Sequence, residues 1–484
     1  MSRLNRALLA RLAERDGLRL PDYDTADVGT GVVHLGLGAF HRAHQAVYTE
    51  DGLRGEDWGI CAYTQRSDAA ARALAPQDGL YTVVERGAQS APPRVVGVLR
   101  EARCGVSDPV TAPERIADPA IRVVTLTVTE RGYRLTPSRR LDVRDPLVAR
   151  DAALFDAPGH RHRTVAGQLA AALHLRRVRG GAPLTVVPCD NVPGNGRVVR
   201  AVVDDFCALL PHGAALSEWI DGHVAFPSTV VDRIVPAATP ADRRETARRI
   251  GADDLGTVVC EPYRQWVVED SFAAPRPHWE DAGATLTDDV HPYEAVKLRM
   301  LNAAHSLVAC TGALAGHPTI AAALDDPRIA EAARQLMACD AAPSLRAPHG
   351  LDLTVYQETV LDRFRNPALG HTTAQVATDG SVKIPIRLLG TVEDRLAAGA
   401  EPHWAALAVA AWMVLIGRGT DRQGRPLSVP DPLAGQLAGS GALLGNPAAF
   451  VGHFLAERAV FPAHLADDPV LRRLLITHVR DLLR

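Results

Sequence analysis

The stretch Val32-Val33-His34-Leu35-Gly36-Leu37-Gly38-Ala39-Phe40-His41-Arg42-Ala43-His44-Gln45 decides how the rest of the chain is read. It spells a strand, a glycine turn and the start of a helix. Two glycines spaced two apart let a backbone turn sharply and approach a pyrophosphate, which would then lie at the helix start. Gly36, Gly38, Ala39 and Phe40 are therefore candidate dinucleotide-binding residues. His41 stands where a third glycine is usual, and the same spelling also suits a tight turn with no ligand.

Working outward, apolar β-rich runs at 31–35, 58–64, 122–127, 184–188 and 257–260 alternate with helix-patterned stretches. That alternation predicts an α/β domain with a parallel sheet, several strands being buried on both faces. The second run ends in Gln65-Arg66-Ser67-Asp68. An acidic residue there would read a ribose 2′-hydroxyl, so Asp68 points to NAD, with NADP kept open by Arg66. Thr129 and Glu130 follow the third run, at the edge where open α/β sheets bind ligands. After about residue 287 the alternation stops, and Ala, Leu and Arg recur with helical spacing, as in 328–337 and 470–483. The organisation expected is an N-terminal Rossmann-type domain over 1–287 and a mainly α-helical domain over 288–484. Residues 151–163 and 418–432 read as surface loops, His160 and His162 as solvated, and 1–16 as an amphipathic surface helix.

Composition narrows the class. Of 484 residues, 47% are apolar and 23% charged, and 53 basic residues against 56 acidic ones leave a net charge of −3. Without a basic excess, nucleic acid is not the expected partner. The longest apolar run, 404–416, falls short of the ~20 residues of a membrane span and reads as a buried helix. Seven scattered cysteines without a CxxC pair read as reduced thiols in a cytoplasmic protein. His41 and His44 have a spacing that could ligate zinc, but no CxxC, HExxH or third ligand accompanies them, so no metal is expected.

Of the 53 basic residues, 51 are arginine; Lys297 and Lys383 are the two lysines. Arginine cannot give up its proton, whereas a desolvated lysine can act as a base. Lys297 lies in Asp289-Val290-His291-Pro292-Tyr293-Glu294-Ala295-Val296-Lys297-Leu298-Arg299-Met300-Leu301-Asn302-Ala303-Ala304-His305-Ser306, read as one helix from Pro292 to about Thr311, before Gly312. At about 100° per residue, Glu294, His305 and Asn302 fall about 60°, 80° and 140° from Lys297. That clustering suits alcohol oxidation by hydride transfer, in which a base takes the hydroxyl proton and donors hold the developing alkoxide. A solvated polar face is the plainer alternative. Asn191, after the apolar run 184–188, offers a second carboxamide, although an Asn/Pro/Gly-rich loop also uses such residues for turns.

Taken together, Gly36-x-Gly38-Ala39-Phe40-His41-Arg42-Ala43-His44-Gln45-Ala46, Asp190-Asn191-x-Pro193, residues 226–236, residues 260–270, Lys297-x4-Asn302-x2-His305-Ser306 and Asp379-Gly380-Ser381-x-Lys383-Ile384-Pro385 resemble the long-chain mannitol dehydrogenase family in order and spacing. The resemblance implies metal-independent, nicotinamide-dependent oxidation at C2 of a polyol or sugar acid. It implies Lys297 as general base, Asn191 and Asn302 as an oxyanion pair and Glu294 as proton relay, with His305, Asp232 and Lys383 touching substrate. The spelling around His371, Gln375 and Arg387 is more similar to the fructuronate reductase (mannonate oxidoreductase) branch. Mannitol 2-dehydrogenases tend to carry arginine where Gln375 stands. A sugar acid would need a cation, for which Lys383, Arg387 and Arg233 are the candidates. A mannitol/fructose enzyme is the alternative, and an NAD-binding sensor the non-enzymatic one.

Overall fold

In a computed structural model, which describes residues 1–88, 91–437 and 439–484, the chain divides into two units, Met1–Val290 and His291–Arg484. The strands of the first are β1 (Thr30–Leu35), β2 (Gly59–Thr64), β3 (Tyr81–Glu85), β4 (Arg94–Val96), β5 (Leu99–Cys104), β6 (Val123–Leu126), β7 (Leu184–Pro188), β8 (Val224–Ala225), β9 (Thr229–Asp232), β10 (Val258–Cys260), β11 (Gln265–Glu269) and β12 (Thr285–Thr287). Six form a parallel sheet in the order β5-β2-β1-β6-β7-β8, with Leu35 opposite Tyr63 on one side and Leu126 on the other.

Both faces of this sheet are covered, which explains its continuous apolar strands. Val33, Leu35, Val124 and Leu126 pack with Leu169, Leu173, Val199 and Val203 on one side. Val32, Ile60, Ala62 and Val123 pack with Ala43, Val47, Trp58 and Trp266 on the other. Each buried Val or Leu contributes roughly 1.5–3 kcal/mol relative to exposure.

The chain departs from its sequence pattern in several places. The run 257–260 does not join the main sheet; β10 pairs with β3 in a separate sheet, β10-β3-β4. An apolar run records burial, not partner. Strand β5 reads Leu-Arg-Glu-Ala-Arg-Cys and lies at the sheet edge, where charges replace the apolar signal. Only Arg6–Leu8 and Leu9–Leu12 are helical near the N-terminus, where Leu4 and Leu12 are buried with Leu80 and Val95. Most of 151–163 is the surface loop expected, with 154, 156, 158, 159 and 163 exposed, but its start and its two histidines are not solvated. Residues Pro146–Ala153 are helical, and buried Asp151 accepts from the backbone of Arg163 (2.9 Å) and Thr164 (2.8 Å). His160 also lies 3.1 Å from Asp151, and His160 and His162 line a cavity of about 440 Å³ with Phe155 and His174.

The second unit is helical. Its centre is the helix His403–Arg418, buried from Ala408 to Leu415 and packed with Ala303–Ala315 and Pro469–Leu483. Among the described residues, no helix is long and apolar enough to cross a membrane. Gly312 does not stop the helix it was expected to end. A Cβ there would stand 2.7 Å from that of Ala323, so glycine serves close packing, and the helix runs on to Ala315. Among the described residues, three stretches widen from α to π: Lys297–Asn302, Leu336–Ala341 and Pro385–Leu389.

Candidate active site

In the first unit the strand order reverses between β1 and β6, since the chain builds outward from β1 through β2 to β5 before returning to β1's other side. Open α/β sheets bind ligands at the carboxyl ends of such strands. Gly36 lies there at φ +115°, and a Cβ on it would meet the Thr127 carbonyl oxygen at 2.2 Å. The nitrogens of Gly36 and Leu37 both donate to Tyr63 O, at 2.9 and 3.0 Å. Gly38 differs: the nearest atom to its added Cβ would be Gly36 O, at 3.6 Å. The fold requires glycine at 36 and would tolerate a Cβ at 38 in ordinary contact. Ala39 and Phe40 begin a helix of only five residues, Ala39–Ala43.

At the end of β6, Thr129 has φ 67° and ψ 160°. For a β-branched residue this costs about 1–3 kcal/mol and persists only where the surroundings impose it. The Asp190 carboxylate accepts from Thr129 N (2.7 Å), Val128 N (3.2 Å) and Tyr133 Oη (2.6 Å). Asn191 and Glu130 are exposed beside this strained edge. Asp68 pairs with Arg72 at 2.8 Å and remains 41% exposed, while Arg66 is exposed.

His34 lies beneath the turn, its Nδ1 2.7 Å from Thr125 Oγ1 and its Nε2 2.9 Å from Thr127 Oγ1. The His41 ring stacks on it at 3.4 Å, and His44 Nε2 lies 2.8 Å from Gln265 O. These histidines are built into the fold. Among the described residues no group of three His, Cys, Asp or Glu side chains is arranged so that it could hold a metal ion. Burial pushes His34 and His44 down to about 3. The unfolded chain takes up these protons below about pH 6.5 while the folded chain does not, so stability is full above that pH and falls towards pH 3. The slope is about 1.4 kcal/mol per pH unit per histidine. Urea midpoints at pH 7, 6 and 5 should fall accordingly; a flat profile would contradict this.

Arg233 does not lie open for a substrate. Its nitrogens donate to Glu261 O (3.0 Å), Ala43 O (2.6 Å) and Glu85 Oε1 (2.6 Å), and the side chain is buried. Asp232, beside it at the end of β9, is buried too.

In the second unit Lys297 and Asn302 are the first and last residues of the π stretch. A π turn pairs residues five apart where an α turn pairs residues four apart. The two side chains are thus closer around the helix than the uniform α spacing predicted. Lys297 is 8% exposed. Glu294, half-buried, has its carboxylate 3.5 Å from His291 Nδ1. Asn302 Nδ2 is buried with no hydrogen-bond partner among the described residues, and so is His305 Nε2. The His305 ring lies 4.6 Å from Phe364, nearly parallel, and meets His371 edge-on at 5.2 Å. Burial, then the charges of His371, Arg387, Arg363 and Lys383, hold His305 well below its ordinary value.

The second set of candidates is fixed by a helix and another π stretch. Gly380 passes so near Trp412 that a Cβ would stand 2.3 Å from its ring, which accounts for the Asp-Gly-Ser spelling. Lys383 Nζ donates to Val376 O at 3.0 Å, and Arg387 Nη1 to Ser306 Oγ at 3.0 Å. Gln375 is exposed, its side chain closing a capping box with Thr372. His371, whose Nδ1 is also buried without a partner among the described residues, and buried Arg363 were not among the candidates. The sequence held a signal for His371, which stands in the branch spelling. Arg363 is one arginine among 51.

A mannitol dehydrogenase Rossmann-domain model matches residues 30–281 and a mannitol dehydrogenase C-terminal-domain model residues 289–483. The chain is 41% identical to the D-mannonate oxidoreductase of Escherichia coli K12 over 424 residues, covering 86% of each protein. It is 40% identical to the mannitol 2-dehydrogenase of Cereibacter sphaeroides over 397 residues, covering 81% of this chain and 82% of that one. The solved ternary complex of Pseudomonas fluorescens mannitol 2-dehydrogenase with NAD and D-mannitol superposes with a TM-score of 0.86 at 36% identity, covering 99% of this chain and 97% of that one. The chain belongs to the mannitol dehydrogenase family.

Proposed function

We propose that this protein is an NAD-dependent oxidoreductase that interconverts a secondary alcohol and a ketone at C2 of a sugar acid of the D-mannonate/D-fructuronate type. The observation that carries it is the pair of unpartnered buried nitrogens, Asn302 Nδ2 and His305 Nε2, on the helix that holds buried Lys297. A buried donor without a partner costs about 1–3 kcal/mol; a substrate oxygen would remove that cost.

The carboxyl edge of the sheet fits a dinucleotide, with an uncrowded backbone at Gly38 and a strained turn at Thr129 beside it. Gly36, Gly38, Ala39, Phe40, Thr129 and Glu130 would hold it, and Asp68 would favour NAD over NADP. The bound nicotinamide supplies the hydride acceptor. Lys297 takes the proton from the substrate hydroxyl during oxidation and returns it during reduction. Asn302 donates to the oxygen as its charge grows, with Asn191 carried over from the family pattern as the second carboxamide. Glu294 passes the proton on towards solvent. His305 and Asp232 orient the carbon chain through its hydroxyls.

Identities of 41% and 40% do not separate a sugar acid from a polyol. The surroundings of His305 favour the acid, because Arg387, Arg363 and Lys383, whose charges act on it, are cations. A carboxylate held by a guanidinium gains a charge-assisted hydrogen bond. The test is kcat/KM for fructuronate against fructose, each with NADH and with NADPH. Fructuronate with NADH should be favoured by roughly ten-fold or more, the worth of one such bond. A large preference for fructose would overturn the sugar-acid assignment.

A further inference from the structure

Two strand ends are tied together at Asp190. After β7, its main-chain carbonyl accepts from Val192 N at 2.8 Å and from Asn195 Nδ2 at 3.0 Å, which fixes its place. Asn195 is itself held, its Oδ1 accepting from Thr229 N at 2.8 Å. From that anchor the carboxylate reaches the residues after β6 and gathers the N–H groups of Val128 and Thr129 and the hydroxyl of Tyr133. It is buried, against buried Tyr133 and next to buried Cys189. Burial raises its carboxyl, and the three donors act against that.

The proton chemistry at Lys297 makes no use of this carboxylate. It does account for the conformation of Thr129, which takes a positive φ although it has a branched Cβ. Without an acceptor for two successive N–H groups, the backbone would relax to ordinary extended geometry and its amides would turn away.

We propose that Asp190 is a positioning residue for the dinucleotide: its carboxylate holds Val128 and Thr129 at the carboxyl end of β6 in the backbone shape that receives the cofactor. This rests on reading that edge as a dinucleotide site.

The test is NADH binding to the full chain, followed by calorimetry without substrate, so that turnover plays no part. Asp190→Ala should weaken binding by at least ~10-fold, as expected when hydrogen bonds to a charged group are lost. Adding Thr129→Gly to that variant should recover most of the loss, because glycine takes a positive φ with no carboxylate to impose it. A purely structural role would lower the melting temperature and give glycine no means of restoring affinity. If Asp190→Ala does not fold, Asp190→Asn, which keeps one oxygen for Thr129 N, is measured with and without Thr129→Gly and should show a smaller loss with the same recovery. Unchanged affinity in the Asp190 variant, or a loss that glycine does not recover, overturns the inference alone. Failure of the unaltered chain to bind NADH overturns the dinucleotide reading and this inference together.

Discussion

Replacing Lys297 by alanine is expected to lower kcat by at least ~100-fold, the usual contribution of a positioned general base. NADH affinity should change little, because the glycine turn of the first unit does not include this residue. Lys297→Arg should not rescue the rate: a guanidinium keeps the charge but cannot give up a proton. The pH profile of kcat/KM should lose the limb that reports the base, and a small amine added to Lys297→Ala should restore part of the rate. The chain's composition makes an independent check simple. With two lysines in 484 residues, selective isotope labelling of lysine gives two side-chain signals, and Lys297→Ala assigns both. A variant that keeps more than a tenth of the wild-type rate would remove Lys297 from the mechanism.

Gly36 and Gly38 should fail in different ways. At Gly36→Ala the new methyl meets the Thr127 carbonyl at 2.2 Å from a positive φ. Neither strand can give way, since β1 and β6 are in register up to Leu35 and Leu126. Stability should fall by about 2–4 kcal/mol, the range for strain combined with overpacking. At Gly38→Ala the methyl has room, so stability should stay within about 1 kcal/mol. NADH binding should still weaken by roughly ten-fold or more, because the space the methyl enters is the space offered to the pyrophosphate. Thermal melts and NADH titrations of both variants separate the two effects. Tight NADH binding by Gly38→Ala would show that this space is not used.

The fold was legible where one residue type has one physical reason to be present. Continuous apolar runs announced β1, β6 and β7 because both faces of that sheet are covered. A thirteen-residue apolar stretch announced the buried helix His403–Arg418. The edge strand β5, rich in arginine and glutamate, gave no such sign, and neither did the pairing of β10 with β3. For the candidate site, the scarcity of lysine singled out two positions, and the structure buries Lys297 and half-buries Lys383. Arg233 misled because its recognisable motif says nothing of its three backbone and carboxylate partners. Arg363 was hidden by the same arginine excess that made lysine conspicuous. The π stretches left no mark either, since helix patterning assumes one spacing throughout.

The widened helix makes the candidate chemistry sensitive to a particular kind of change. Residues before Lys297 and after Asn302 belong to two rotational phases of one rod, joined by a turn that holds one residue more than its neighbours do. Most point substitutions would leave that phase difference intact. Closing this turn into uniform α-helix with all six residues kept would swing His305 and everything beyond it by about 100° relative to Glu294, whereas loss of one residue between Lys297 and Asn302 would leave those two four apart and still on one face. Divergence that conserves every named side chain and the chain length but lets this turn tighten would keep the parts and lose their alignment.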